Sequence, residues 1–342
     1  MVTSIKEETF SPCIAYTGTR PVEYAAVPLT MYSTGADHLE SYTSMSALLE
    51  HFYAEKNTLT RIRQKSSDLR RIVQTALERE IKKYDLQLAQ MKDTEKREKY
   101  RIYGELLNTY GYSAKPGDKS LTAVNYYTSE PVTIPLDPTL SATENAKKYF
   151  DKYGKLKRTY EALSELTTQV KEEIDHLETI STALDIALKE EDLVEIKEEL
   201  TQSGYIRRKG GTKKAKITSK PFHYLSSDGF HIYVGKNNFQ NDELTFKFAN
   251  GNDWWFHAKG IPGSHVVVKT EGKELPDRTF EEAGRLAAYY SKGREQEKVE
   301  IDYVQKKQVK KPAGAKPGFV VYYTNYSLMI DSDISGIEKI SD

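Results

Sequence analysis

The sequence LRRIVQTALEREIKKYDLQLAQM at residues 69–91 places apolar side chains in alternating steps of three and four. The residues at these positions are Leu69, Val73, Leu77, Ile81, Tyr84, Leu88 and Met91. This spacing is the a/d pattern of a coiled coil, and the positions between are mostly polar or charged. We therefore expect a long helix over about residues 44–110.

A second seam of the same period follows residues 141–144 (SATE), which have the spacing of a helix N-terminal capping box. It comprises Tyr149, Tyr153, Leu156, Tyr160, Leu163, Leu166, Val170, Ile174, Leu177 and Leu184. Prolines and a glycine between the seams stop helix growth, so we expect a Tyr-rich tip at 111–142 where the chain reverses. Two helices joined in this way run antiparallel, and about 45 residues in each give an arm of roughly 65 Å. A helical bundle is the alternative, although no third long seam is present to close one.

The composition indicates a cytoplasmic protein of two or three domains. The chain has 342 residues, of which 38% are hydrophobic and 29% charged. No segment approaches the roughly 20 apolar residues that cross a bilayer, and the first ten residues lack the apolar core of a secretory signal. Because Cys13 is the single cysteine, we expect neither a disulfide framework nor a cysteine-based zinc site.

The net charge of zero conceals an uneven distribution of charge along the chain. Residues 1–204 carry 27 basic and 33 acidic side chains, whereas residues 205–342 carry 23 basic and 17 acidic ones. Within residues 205–330 the numbers are 22 basic and 13 acidic. An excess of this kind is typical of a module that binds a polyanion.

These patterns predict an α+β protein with a long antiparallel two-helix coiled-coil arm and a small mixed α+β C-terminal domain. We expect four parts along the chain. They are a short β hairpin within 1–43, the arm at 44–203 with its tip at 111–142, a basic linker at 204–220, and the C-terminal domain at 221–342. The coiled-coil seams permit pairing either within one chain or with a second copy.

Residues 253–265 (DWWFHAKGIPGSH) hold an acid, two imidazoles, a hydroxyl and both tryptophans. If they begin a strand, Trp254 and Phe256 point towards the core, while Asp253, Trp255 and His257 form a wall or an outer surface. Metal or nucleophilic chemistry centred on His257, Ser264 and His265 is one hypothesis, but strand neighbours point apart and no further ligand is evident. The histidines could also be structural, or meet phosphate across a tight turn.

Two segments concentrate lysine and arginine without any acidic residue: 206–220, which includes Arg207, Arg208, Lys213 and Lys214, and 306–318. The second segment contains Lys306, Lys307, Lys310, Lys311 and Lys316. Glycine and proline favour an extended loop there, in which amide and ammonium groups can both meet phosphate oxygens. A merely solvated loop is the alternative. Basic loops beside aromatic strands are the components of RNA-binding surfaces, although these features do not separate RNA from DNA.

The string DWWFHAKGIPGSHVVV at 253–268, the helix end AAYYSK at 287–292 and VKKPAGAKPG at 309–318 closely resemble the C-terminal RNA-binding domain of the NFACT family. The arm, with YGELL at 103–107 and IPLDP at 134–138, looks like the coiled-coil region of that family. Residues 27–29 (VPL) look like the last strand of its N-terminal domain, and we interpret 1–43 as a remnant of that domain.

The resemblance implies a role in ribosome quality control. Family members bind a large ribosomal subunit obstructed by peptidyl-tRNA, recruit alanyl-tRNA and support the addition of alanine tails to stalled chains. The principal tRNA-contacting segments of the N-terminal domain have no counterpart in this sequence, so we expect a C-terminal fragment that does not make tails alone. The motif core that carries over is Asp253, Trp255, His257, Pro262, Gly263, Ser264 and His265. The implied RNA contacts are Lys259, Lys292, Lys310, Lys311 and Lys316.

Our first hypothesis is a non-enzymatic RNA-binding module without cofactor or metal, whose partners are the large ribosomal subunit, rRNA and tRNA. We expect nucleic-acid contacts from Arg207, Arg208, Lys213, Lys214, Trp255, His257, Lys259, Ser264, His265, Lys292, Lys306, Lys307, Lys310, Lys311 and Lys316. The second hypothesis comes from the family's older name in Gram-positive bacteria. It is a fibronectin-binding adhesin that reaches the cell surface by unconventional export.

Overall fold

The computed structural model describes residues 10–17, 20–29, 37–208 and 219–341. The chain divides into two compact units, which we describe separately: Met1–Ala76 together with Asp175–Asp342, and Leu77–Ile174. This division differs from the four parts expected from the sequence, because each of the two longest helices contributes to both units. The helices are α1 (Met45–Thr94), α2 (Arg97–Tyr110), α3 (Ala142–Ile186), α4 (Glu190–Gln202), α5 (Asn238–Glu243) and α6 (Asp277–Tyr289).

The unit Leu77–Ile174 confirms the antiparallel arrangement of two long helices. Thr167 of α3 donates a hydrogen bond from its hydroxyl to the Met91 sulfur at 3.4 Å, and the Arg97 guanidinium lies 4.1 Å from the Tyr160 ring centroid. The contact partner on α3 therefore moves backwards along the sequence as α1 and α2 advance, which is the antiparallel order. The fold class predicted from the sequence, α+β with a long helical arm, is correct.

The tip at 111–142 contains a hairpin that the sequence analysis did not predict. Strands β4 (Ser120–Asn125) and β5 (Glu130–Pro135) pair antiparallel, and Ala123 and Ile134 pack against α2 and the start of α3. Gly104 on α2 lets the Phe150 ring approach closely, because a Cβ at this position would lie 2.8 Å from that ring. The helices end near the prolines and turns, as predicted. The alternating Thr and Val residues between the two helices form strands.

The predicted N-terminal hairpin is present, and the structure adds a third strand to it. Strand β1 (Cys13–Thr17) pairs antiparallel with β2 (Arg20–Ala25) on one side and with β3 (Asp37–Ser41) on the other. Ile14 and Tyr16 pack against the start of α1. The third strand has the sequence DHLES. Because it is mostly polar, it lacks the alternation of apolar and polar residues by which a strand is predicted.

The C-terminal domain is built on a seven-stranded antiparallel sheet with strand order β13-β10-β8-β9-β7-β6-β14. Its strands are β6 (Phe222–Leu225), β7 (His231–Val234), β8 (Trp254–Ala258), β9 (Val266–Val268), β10 (Val299–Gln305), β13 (Tyr326–Ile330) and β14 (Glu338–Ser341). Two short strands, β11 (Val309–Lys310) and β12 (Val321–Tyr322), pair with each other. Helix α6 covers one face with Ala283, Leu286 and Ala287, which pack on Phe256 and Val266.

The opposite face of the sheet is also covered, by residues 244–248 and 309–322. Leu244, Val309 and Tyr322 pack there against Trp255 and Val267. Residues 238–248 form the short α-helix α5 followed by one π-helical turn at Leu244–Phe248. The sheet thus has a core on each side.

Helix α4 attaches to the C-terminal domain through buried carboxylates at positions i, i+3 and i+7. Asp192, Glu195 and Glu199 are each at most 2% exposed. Asp192 lies 3.3 Å from the buried Lys236 ammonium and also accepts hydrogen bonds from the Leu188 and Lys189 amides and the Ser219 hydroxyl. Glu195 accepts from Asn237 and Gln240, and Glu199 from Asn238. Residues on both sides of the expected linker therefore form one packed body. None of the helices in the described ranges combines the length and apolar character needed to cross a bilayer.

Candidate nucleic-acid interface

Strand β8 lies between β10 and β9, and its side chains alternate between the two cores. Phe256 points to the α6 side, as predicted, whereas Trp255 points to the other side and is completely buried under Leu244, Val309 and Tyr322. The alternative that Trp255 forms an outer surface is therefore wrong, because a second layer of chain covers that face.

His265 is a buried histidine of this second core. It is 1% exposed, and its Nδ1 atom lies 2.7 Å from the Thr245 hydroxyl and 3.2 Å from the Asn241 carbonyl oxygen. Burial is the main cause that lowers the pKa of His265 well below its usual value. A neutral, enclosed imidazole with partners of its own has no surface to offer a phosphate.

His257 is the imidazole that reaches the surface. Its half-buried ring stacks on the Trp255 ring with centroids 5.6 Å apart, and it meets the His265 ring edge to face at 5.5 Å. Burial lowers the pKa of His257 to about 4, while a hydrogen bond with the Gly263 backbone and the charge of Asp302 oppose that shift. His257 is therefore neutral near pH 7 and supplies no positive charge there.

Asp302, which pairs across the strands with His257, fixes the covering layer to the sheet. It is 3% exposed and accepts hydrogen bonds from the Tyr322 hydroxyl at 2.8 Å and the Ser327 hydroxyl at 2.5 Å. Burial and the Asp302 carboxylate raise the pKa of Tyr322. Since Tyr322 belongs to β12, this hydrogen bond anchors the segment that contains the second group of lysines.

We call residues 306–323 the basic ribbon. Strands β11 and β12 form its stem, and the loop between them is held by Asp242. One carboxylate oxygen of Asp242 accepts the Gly318 amide hydrogen bond at 3.1 Å, and the other pairs with the Lys311 ammonium. Gly318 has a φ of +79°, and a Cβ there would lie 2.4 Å from the Asn238 side-chain oxygen, so this turn requires glycine.

The ribbon presents lysine and aromatic side chains together. Lys307 and Lys310 are exposed, and the Lys306 ammonium lies 5.8 Å from the Phe246 ring centroid. Phe319 and Tyr323 are 50% and 65% exposed on the same ribbon. Phe319 was missed as a contact residue because it begins the apolar run FVVYY at 319–323, where the sequence does not show which rings are exposed.

Several of the predicted cationic contacts are already engaged with carboxylates. Lys259 pairs with Glu300 at 2.7 Å and Lys292 with Glu178 at 3.0 Å. Arg208 pairs with Glu198, and Arg207 is exposed. Lys316 is half-buried in the ribbon loop. Lys213 and Lys214 lie outside the described residues.

The structure therefore does not gather all of the predicted residues on one surface. Trp255, Ser264 and His265 are at most 2% exposed. This burial does not support direct contact of their side chains with nucleic acid. The Ser264 amide donates to the Tyr290 carbonyl oxygen at 2.9 Å, which fixes the 260–264 turn to the end of α6. These three residues instead lie beneath the surface on which His257 is exposed.

The hypothesis of metal or nucleophilic chemistry finds no constellation here. In the described part of the chain, no three His, Cys, Asp or Glu side chains are grouped so as to hold a metal ion. The Ser264 hydroxyl has no hydrogen-bond partner among the described residues, and Nδ1 of the adjacent His265 faces Thr245. A serine nucleophile bonded to a histidine base is therefore not formed by this pair.

Two family models match the chain. The model of the NFACT N-terminal and middle domains matches residues 1–219, and that of the NFACT protein RNA binding domain matches residues 220–323. A curated relative from Streptococcus suis, Rqc2 homolog RqcH, is 41% identical over 90% of this chain and 55% of its own length. A Bacillus subtilis protein of the same name is 36% identical over 98% of this chain and 59% of its own length.

A solved structure is also similar, described as the C-terminal of the fibronectin/fibrinogen-binding protein from Streptococcus suis. It is 37% identical, with a TM-score of 0.65, and the match covers 81% of this chain and 99% of that one. The chain spans between 55% and 59% of the length of the Streptococcus suis and Bacillus subtilis relatives. With both family models matched in sequence order, the chain belongs to the NFACT family.

Proposed function

We propose that this chain binds RNA as a component of ribosome quality control. The observation that carries the proposal is the basic ribbon, a single segment that contains lysines 306, 307 and 310 and the exposed rings of Phe319 and Tyr323. The match of residues 220–323 to an RNA-binding domain model and the names of the relatives support it. Ammonium groups neutralise phosphates, and aromatic rings stack on unpaired bases.

On the ribosome, the chain binds the large subunit obstructed by peptidyl-tRNA, contacts rRNA and tRNA, and supports the alanine tailing of stalled chains. It acts in the cytoplasm by binding and positioning, and it carries out no chemical step of its own. The long helices serve as a spacer that lets two regions of one chain reach separate parts of the particle.

The test is RNA affinity across a salt series with the full chain and labelled tRNA. Lys310→Glu together with Lys311→Glu should weaken binding at least tenfold, and it should make the slope of log affinity against log salt shallower by about two contacts. The control is the same charge change at two exposed lysines elsewhere in the domain, Lys273→Glu with Lys298→Glu. Equal losses in both double variants would mean that net charge, and not the ribbon, determines binding.

Fibronectin binding is the second candidate, because the similar Streptococcus suis structure is described as part of a fibronectin/fibrinogen-binding protein. Immobilised fibronectin in the same salt series separates the two. Binding to fibronectin without binding to tRNA or to large subunits would place the adhesin function first. Binding to RNA alone would remove it.

A further inference from the structure

The two edges of the seven-stranded sheet differ in character. Strand β14 forms one edge with the sequence EKIS, in which Glu338 and Lys339 are exposed, and its pairing with β6 is irregular between Lys339 and Ser341. Exposed charges and irregular pairing are features by which proteins prevent further strands from adding to a sheet. Strand β13 forms the other edge with the sequence YSLMI, which contains neither a charged residue nor a proline. The β13 edge therefore lacks the protection that the β14 edge has.

In the described part of the chain, the backbone of β13 is paired on one side. Its residues Tyr326–Ile330 pair antiparallel with β10 without a shift in register. Alternate residues of such a strand direct their N–H and C=O groups to the partner, and the residues between direct theirs away from it. Among the described residues, no other strand pairs with β13, and no backbone–backbone hydrogen bond outside this ladder involves 326–330. The outer edge therefore presents donors and acceptors at the spacing that another strand requires.

The side chains of β13 make this edge apolar on both faces of the sheet. Leu328 packs into the core under α6, so Tyr326, two residues earlier, lies on the same face. The Tyr326 ring is 61% exposed and stacks on the Tyr303 ring, with centroids 5.6 Å apart and planes at 27°. Met329 lies on the opposite face and is 59% exposed. A strand added here would have apolar cross-strand neighbours on either face, which favours apolar or β-branched residues in that strand.

The charge near this edge is opposite to that of the basic ribbon. Residues 324–338 contain Asp331, Asp333 and Glu338 and no lysine or arginine. Asp331 pairs with Arg285 at 3.3 Å, whereas Asp333, three residues beyond the end of β13, is exposed and has no ion pair with another described residue. Like charges repel, so this segment disfavours RNA as the ligand and favours a basic group.

We propose that the outer edge of β13 receives an extended segment of a partner polypeptide, which adds one strand to the sheet. The segment pairs its backbone with β13 and places apolar or β-branched side chains beside Tyr326 and Leu328. It carries a basic residue at the end that approaches Asp333. The inference goes beyond RNA binding, because the surface contains no residue of the basic ribbon and its ligand is a polypeptide.

The experiment measures binding of the full chain to a fluorescein-labelled peptide, KVTITVT, which has alternating β-branched residues and one lysine. Met329→Lys places a charge on the edge, as β14 has, and should weaken binding at least tenfold. The matched control is Ile340→Lys, the same kind of change at a residue of β14 that is 46% exposed, and it should leave affinity within about twofold. Binding of the peptide should also slow amide hydrogen exchange within residues 326–330 of the unaltered chain.

Two peptides N-methylated at alternate amides separate strand pairing from general stickiness. A strand that adds to an edge pairs along one of its own edges, so one methylated peptide should lose binding and the other should keep it. No binding of the unmethylated peptide, or equal binding of both methylated ones, would overturn the proposal. So would a dimer of the chain that Met329→Lys dissociates, because the occupant would then be a second copy. Lys310→Glu with Lys311→Glu should leave peptide binding unchanged, so this proposal and the RNA-binding proposal fail separately.

Discussion

At the scale of single residues, Asp242 holds Lys311, a lysine of the basic ribbon that would contact RNA under the proposed function. Its carboxylate pairs with Lys311 and accepts the Gly318 amide hydrogen bond. Asp242→Asn keeps an acceptor for that amide but releases the ammonium. A partly exposed ion pair of this kind is worth up to about 1 kcal/mol, so RNA affinity at low salt should rise by up to about fivefold. The salt series on tRNA measures it, and an unchanged affinity would show that Lys311 does not contact RNA.

The two neutral imidazoles predict a loss of stability in acid. An unfolded histidine has a pKa near 6.5, and that of His257 is about 4 in the folded chain. Between these values the unfolded state binds more protons, so the stability is complete above pH 6.5 and is lost as the pH falls through 4. His257 alone contributes on the order of 3 kcal/mol to this loss, and the lowered pKa of His265 adds to it in the same direction.

Urea unfolding at pH 7 and at pH 4.5 tests this, with His257→Gln as the comparison. The glutamine variant should lose distinctly less stability between the two pH values than the unaltered chain does. Other groups, such as the carboxylates of Asp253 and Glu105, also have lowered pKa values, but they contribute equally to both proteins. Identical pH dependence in the two would contradict a protonation of His257 that is coupled to folding.

The residue types of the interface could be predicted from the sequence, but their exposure could not. Lys307 and Lys310 are exposed, as expected for charged side chains, whereas Lys306 is half-buried. Trp255 reads as an outward residue because strand alternation places it opposite Phe256. Trp255 is buried by Leu244 and Val309, which reach it only through the tertiary fold. The local sequence around Trp255 therefore could not predict its burial.

At the scale of elements, α4 is joined to the segment just before α5 by a charged pair that is nearly solvent-free. Lys236 and Asp192 each have a side chain that is 1% exposed. Asp192→Ala leaves the ammonium buried without its charge partner and should cost about 3–5 kcal/mol. Lys236→Met should cost less, because the carboxylate keeps three other donors, from Leu188, Lys189 and Ser219.

Urea unfolding of both single variants measures that asymmetry. The double variant Asp192→Leu with Lys236→Met is the control, since removing both charges should recover most of the stability lost in Asp192→Ala. A double variant that loses as much stability as Asp192→Ala would show that the buried lysine is not the cause of that loss. In that case the three other donors to Asp192 would account for its effect.

The two helix seams differ in how well the sequence predicts them. On α3 the predicted Leu163, Val170 and Ile174 are buried, whereas the predicted Leu166 is 44% exposed. On α1 the prediction holds at Leu69 and Val73 and is wrong at Ile81 and Leu88, while Leu77, Tyr84 and Met91 are half-buried. The buried residues are Ala76, Glu80 and Gln87, while Ile81 and Leu88 are 43% and 42% exposed. A straight helix has 3.6 residues per turn, so a sequence pattern that repeats every 3.5 residues gradually rotates around it. Further along α1, the residues one position before the predicted apolar ones therefore face the partner helix.

At the scale of the whole molecule, opposite charges in the two parts of the sequence matter more than their sum. Residues 1–204 have six more acidic than basic side chains, and residues 205–342 have the opposite excess. A polyanion is therefore attracted by one part and repelled by the other. This much follows from the sequence alone. How the ribbon concentrates that charge does not, because it depends on Asp302 and Asp242 holding residues far away along the chain.

Under the proposed spacer role, the basic ribbon and the tip would be separate contact regions, which predicts different behaviour with free RNA and with a ribosomal particle. The ribbon belongs to one unit, and the tip, with Tyr112 and Val124 exposed by 87% and 53%, belongs to the other. Linked sites multiply their affinities on a particle that offers both, but not on a ligand that offers one. We expect Tyr112→Ser with Val124→Ser to leave tRNA affinity unchanged and to weaken co-sedimentation with large subunits at least tenfold. Lys310→Glu with Lys311→Glu should weaken both. If the tip variant sediments as well as the unaltered chain, the arm is not a spacer between binding sites, and the ribbon alone accounts for ribosome binding.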